Sequence, residues 1–175
     1  MKRSGPLKRT RLRRRKKPMT ALEKRKRNGR SPYWRIRADK LWGRLIHRGN
    51  HCAVHNGDCK GKMEAHHVIS RRISILRHSI NNGILLCSYH HKYSLRLSPH
   101  QGQVGFTAWM IENRPEQWTW AQEHKWDMGR PDYKAACMVL AGIAEAAGVA
   151  WRDVVTGEEL NGASSDKNDP TEPRR

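Results

Sequence analysis

The chain is short of acids, has a single phenylalanine and contains no long apolar run. Only 16 Asp and Glu stand against 35 Lys and Arg, a formal net charge of +19 over 175 residues, so a polyanion is the expected partner. No apolar stretch approaches the roughly 18 residues that a bilayer-crossing helix requires, so no membrane association is expected. The first residues are basic but carry no apolar h-region, which argues against a secretory signal and for a cytoplasmic protein. Hydrophobic residues make up 37% of the chain, and a mean hydropathy of -0.90 leaves long stretches unable to bury themselves. Four cysteines in a reducing compartment seldom mean disulfides.

Charge is concentrated at one end. Residues 1–30 hold fifteen Lys and Arg against one acid, Glu23, a local excess of +14. The run through Arg13, Arg14 and Arg15 has no apolar periodicity. A disordered arm over 1–30 is therefore expected, displacing counterions from phosphates without reading sequence. At the other end, residues 156–175 turn polar and Ser/Asp/Pro-bearing, and a disordered tail is expected there.

Between the two, Ser31 and Pro32 offer an N-cap and a first-turn proline. Trp34, Ala38, Leu41, Trp42, Leu45 and Ile46 recur at helical spacing as far as Gly49 and Asn50. Residues 51–62 are turn-rich and cysteine-bearing. Met63 to Ile69 reads as a short strand, Ser70 to Asn81 as a loop with Arg71, Arg72 and Arg77 free to meet phosphates, and Ile84 to Leu86 as a second strand ending at Cys87. A helix is expected from Ser88 to just before Pro99, carrying His90 and His91. Further helices are expected around Phe106 to Asn113, Glu116 to Trp126 and Ala135 to Val149, the last packed on the core (131–155) and burying Cys137 as a small hydrophobe.

Two sets of residues carry chemistry. Zinc takes four sulfur or imidazole ligands, commonly as pairs two residues apart. Cys87 and His90 form one such pair. Cys52 begins the other, completed by Cys59 or, at the more usual spacing, by His55. A clip of this kind would hold together strands too short to support themselves. The second set is His66, His67, Asn82 and His91, in that order, inside the clipped segment. Adjacent residues on a strand point to opposite sides, so His66 and His67 divide into one metal ligand and one base. His91 can join the ligand histidine on a cation. A neutral imidazole suits deprotonation of water near pH 7, and a divalent cation offsets the charge that makes a phosphodiester hard to attack. His100 reads first as a surface histidine, with a place in the metal site as the alternative.

The segments Glu64 to Arg72 (EAHHVISRR) and Asn82 to His91 (NGILLCSYHH) resemble the signatures of HNH endonucleases. With Leu41 and Trp42 upstream and Phe106 and Trp109 downstream, residues 37 to 112 resemble in particular phage recombination nucleases of the NinG type. Two positions depart from the family pattern: His90 stands where a cysteine is usual, and His55 where a second sulfur is usual. The resemblance implies an α+β fold with a small ββα-metal core, zinc knuckles and flanking helices, occupying residues 31–130. It implies that His67 is the general base and that His66 and His91 hold the active-site metal (Mn, Ni, Co or Mg). Asn82 would fix the loop that orients His67 or reach the metal, and Arg71 and Arg72 would lie against DNA. The implied activity is DNA hydrolysis, with branched DNA among the implied substrates, in a host cytoplasm if the chain is phage-encoded. The alternative is a non-catalytic, zinc-stabilised DNA- or RNA-binding protein. A ribosomal-type protein would explain the arm but leave the ordered histidines unexplained.

Overall fold

The computed structural model describes residues 18–157. They form an α+β structure of six α-helices and one two-stranded antiparallel sheet: α1 (Ala21–Arg27), α2 (Pro32–His47), β1 (Met63–His67), β2 (Gly83–Cys87), α3 (Gln103–Asn113), α4 (Pro115–His124), α5 (Tyr133–Ala146) and α6 (Arg152–Thr156). Among the described residues no helix is long and apolar enough to cross a membrane.

Two of the expected limits move. The arm expected to be disordered to residue 30 is helical from Ala21, because Thr20 and Glu23 form a capping box: the Thr20 hydroxyl accepts from the Glu23 N–H at 3.2 Å and the Glu23 carboxylate accepts from the Thr20 N–H at 2.7 Å. Lys24 to Arg27 then fall in the last turn, where cations suit the helix dipole. Trp34 Nε1 and the Ser31 hydroxyl donate to the Lys26 and Arg25 carbonyls at 2.8 and 2.7 Å, tying α1 to α2. Residue 156, expected to open the tail, is instead the last residue of α6, which is held by a bidentate Arg44–Asp153 pair at 2.7 and 2.6 Å. Arg13, Arg14 and Arg15, and residues 158–175, lie outside the described residues.

The main core lies between α2 and α5. Trp34, Ala38, Leu41 and Trp42 from α2 meet Cys137, Leu140 and Ala141 from α5, and Cys137 is fully buried as expected. The sheet packs against the other side of α2, and Gly83 makes this possible. A Cβ there would lie 2.2 Å from Ile46 Cδ1 and 2.9 Å from Trp42 Cζ2. A second core beneath the sheet joins Ile84, Leu86, Phe106 and Met110 to Cys52 and Cys87.

β1 and β2 pair from Met63↔Cys87 to His67↔Gly83. The segment linking them ends in a 3-10 turn, Ile80–Asn82. After β2 the expected helix to Pro99 does not form. A single wide turn, Tyr89–Tyr93, closes with the Ser94 N–H on the Tyr89 carbonyl at 2.9 Å. Serine side chains then compete for the backbone groups a longer helix would use. Ser94 Oγ accepts from the Leu97 N–H at 3.0 Å, and Ser98 Oγ donates to the His91 carbonyl at 2.8 Å.

Candidate functional site

Four residues from four segments meet below the sheet: Cys52 after α2, Cys59 in the following loop, Cys87 at the end of β2 and His90 in the wide turn. The three sulfurs lie 3.6, 3.6 and 3.3 Å from one atom, His90 Nδ1. A tetrahedral ion with bonds of about 2.3 Å to sulfur and about 2.05 Å to nitrogen sets S···N edges of about 3.5 Å. The set thus has the composition and spacing of a closed, structural zinc site. Burial pushes the Cys59 thiol up to about 11, a tendency that a bound divalent cation reverses by favouring thiolate. His55, the alternative to Cys59, is not part of the set. It sits exposed on an outward bend at φ 39°, its ring 5.2 Å from that of His51.

A cleft of about 790 Å³ is lined by His66, His67, His91, His100, Arg71 and Phe106, among others. His66 and His67, adjacent at the end of β1, reach different partners, as strand alternation requires. His66 Nδ1 lies 3.0 Å from His91 Nε2, and His100 Nε2 lies 3.2 Å from the same atom. His100, read first as a surface histidine, is indeed exposed but also stands in the trio, the alternative reading for it. The turn after Pro99 brings it there, with its N–H on Ser98 Oγ at 3.1 Å.

Glu64 defines the chemistry of this trio. His91 Nδ1–H donates to Glu64 Oε2, which leaves the Nε2 lone pair bare toward the cleft. That one lone pair faces two other imidazoles, and a cation would satisfy all three. Adjacent corners of an octahedron with bonds of about 2.1 Å lie about 3.0 Å apart, close to the observed 3.0 and 3.2 Å. A carboxylate behind a ligand histidine is the usual way of fixing its tautomer. Hydrogen bonds from Lys92 and His91 hold the Glu64 carboxyl down to about 2. Burial pushes His66 down to about 3, with His91, His100 and His67 adding to the effect, and burial lowers His100 as well. Neutral imidazoles are the ligand form.

His67 is held apart from the trio. Its ring stacks on Trp42 at 3.8 Å between centroids and 13° between planes. Its Nε2–H donates to the Arg77 carbonyl at 2.8 Å. Nδ1 is then the free acceptor, the atom that a base would use. Burial pushes His67 down to about 4, against a smaller opposing effect of the Arg77 hydrogen bond.

Asn82 is fully buried and does not line the cleft. Its Oδ1 accepts from the Ile69 N–H at 2.6 Å, and its Nδ2 donates to the Ile69 and Leu76 carbonyls at 3.1 Å each. Of the two roles expected for it, the structure favours the first, fastening the loop beside His67. Arg71 and Arg72 are exposed, and Arg71 lines the cleft. Arg77 is not free to meet phosphates as expected. Its guanidinium is engaged by Asp39 at 2.7 and 2.8 Å. Burial works against the charged form of Asp39, but hydrogen bonds from His78 and Arg77 outweigh it and hold the carboxyl well below the usual range.

Sequence reasoning missed Glu64, Trp42 and Asp39, and ranked the metal site second for His100. Glu64 had a usable signal, since it stands two residues before His66 and so on the same strand face. Asp39 and Trp42 had none, because their partners lie about forty and twenty-five residues away in the chain.

The depressed imidazoles make stability depend on pH. Above about 6.5, His67 is neutral in both folded and unfolded chains. Below it the unfolded chain takes up the proton first, so stability falls as pH drops toward 4. For His67 this amounts to on the order of 2 kcal/mol at pH 5. In zinc-loaded protein, His67→Phe should lose correspondingly less stability between pH 7 and pH 5 in urea unfolding. An unchanged difference would show that the folded His67 is not shifted.

No family model, curated protein or solved structure matches this chain.

Proposed function

We propose that this protein is a metal-dependent endonuclease of the HNH type that hydrolyses DNA phosphodiester bonds. One observation carries the reading: three imidazoles converge at 3.0 and 3.2 Å in the same cleft as a fourth whose free nitrogen is fixed by a backbone bond. The order strand, loop, strand and histidine-bearing turn, clipped by Cys52, Cys59, Cys87 and His90, supports a metal core of the ββα type in which one wide turn stands in place of the helix. The net charge of +19 supports a polyanionic substrate.

His66, His91 and His100 would hold the cation, with Glu64 orienting His91. A divalent cation bound there supplies charge neutralisation for the pentavalent transition state and the departing oxygen. His67 Nδ1 accepts the proton of the attacking water as the new O–P bond forms and the ester P–O bond breaks. The departing oxygen is protonated from solvent. Arg71 meets a neighbouring phosphate, and the basic arm adds affinity without sequence preference. Action on branched DNA, as in phage recombination nucleases, is supported by the sequence resemblance alone.

A three-imidazole site is softer than magnesium prefers. Nicking of supercoiled plasmid should proceed with manganese, nickel or cobalt at least as fast as with magnesium, and stop with chelator. Activity with magnesium alone would contradict the ligand assignment. No cutting with any divalent ion, with DNA binding intact, would favour a non-catalytic zinc-stabilised binding protein.

A further inference from the structure

Helix α2 lies outside the segment that bears the four histidines, yet one of its faces grips the loop beside His67 at three consecutive residues. Asp39 and Trp42, three positions apart, share that face. The Asp39 carboxylate accepts from Arg77 Nε at 2.7 Å, from Arg77 Nη2 at 2.8 Å and from His78 Nε2 at 2.8 Å. Trp42 Nε1 donates to the Ser79 carbonyl at 2.9 Å. Within this tethered stretch lies the Arg77 carbonyl, which accepts the His67 Nε2–H at 2.8 Å. The Trp42 ring meanwhile covers the face of the His67 ring at 3.8 Å. One helix face thus fixes both the edge and the plane of the imidazole.

We propose that Asp39 and Trp42 are positioning residues for His67. Asp39 holds the carbonyl that selects the Nε2–H tautomer, and Trp42 holds the plane in which Nδ1 faces the cleft. The role in turnover rests on His67 being the base of the reaction proposed above. The tautomer does not depend on that assignment.

The placement of Asp39 argues against a purely structural part. Asp39, its side chain 34% exposed against 17% for Arg77, lines the cleft rather than the core. A carboxylate there repels DNA and also occupies Arg77, a cation that would otherwise serve binding. Neutralising it should therefore leave DNA affinity intact or improve it, while the loss of Arg77 and His78 as anchored partners frees the carbonyl on which His67 depends.

The test has two readouts on zinc-loaded, full-length protein at pH 7.5. Two-bond proton–nitrogen spectra of histidine-labelled chains should show His67 as the Nε2–H tautomer in wild type and as a mixture in Asp39→Asn and Trp42→Leu. Trp42→Phe, which keeps the stacking ring, should stay close to wild type. Single-turnover cleavage should fall about tenfold to hundredfold in Asp39→Asn, with the Kd for duplex DNA unchanged or lower. A merely structural residue would weaken binding together with cutting. If Trp42→Leu fails to fold, the Asp39→Asn and Trp42→Phe comparison stands alone.

An Nδ1–H tautomer in wild type, or an Asp39→Asn chain with wild-type tautomer and rate, would overturn the proposal. If wild type cuts nothing but the tautomer shifts as described, the positioning of His67 stands and the nuclease reading fails.

Discussion

His67→Ala protein is expected to bind duplex DNA as wild type does and to cut it about 100- to 10,000-fold more slowly. The size of the effect follows from how little else in the cleft can take the proton. His66, His91 and His100 direct their nitrogens at one another. Glu64 is occupied by His91 and Lys92, and Asp39 by Arg77 and His78. His67 Nδ1 remains as the acceptor with no hydrogen bond among the described residues. Binding should survive because His67 bears no charge at neutral pH and the phosphate contacts are proposed to come from arginines. Filter binding and plasmid nicking on the same preparation separate the two. Equal loss of both would mean that the substitution disturbs the fold; unaltered cutting would remove His67 from the chemistry.

The second large effect concerns the four-ligand knot. Cys87→Ser, or removal of zinc by a strong chelator, is expected to abolish the cooperative thermal transition of the domain. Structural zinc in small domains contributes roughly 10 kcal/mol or more of apparent stability. Here an ion held by the four ligands would join the segment after α2, the loop through Cys59, the end of β2 and the turn bearing His90 and His91. Without the ion, three thiols crowd one imidazole, and His90 Nε2 is already a buried atom without a partner. His91, next in sequence to His90, loses its placement with it. Cys137, equally buried but set in the apolar cluster of α2, α5 and α6 away from the knot, gives the control: Cys137→Ala should keep any bound zinc and lose only about 1 kcal/mol. Zinc content by elemental analysis and calorimetry decide the matter. A metal-free chain that melts at the wild-type temperature would show the knot to be dispensable.

Local signals made much of this legible in the sequence. Pro32 and the spacing of Trp34, Ala38 and Leu41 define α2; the Cys87–His90 spacing defines half of the knot; and strand alternation divides His66 from His67. The misreadings share a cause. Where charge density was taken for disorder, the capping pair Thr20 and Glu23 supplied backbone bonds that composition does not register. Where helical continuity was expected after Ser88, Ser94 and Ser98 captured backbone groups instead. Asp39 and Trp42 enter the cleft through tertiary contacts across long loops, and no spacing rule reaches them. The choice between Cys59 and His55 turned on chain direction. The bend at His55 points it outward, whereas Cys59 returns to the strand end.

The central claim is that His66, His91 and His100 form one cation site beside His67. Titrating manganese into zinc-loaded protein by calorimetry, with the imidazole couplings read by pulsed electron paramagnetic resonance, tests it most directly. The account expects one manganese per chain with nitrogen couplings, abolished in His91→Ala and retained in His67→Ala. Manganese bound without nitrogen couplings, or bound equally well by His91→Ala, would contradict it.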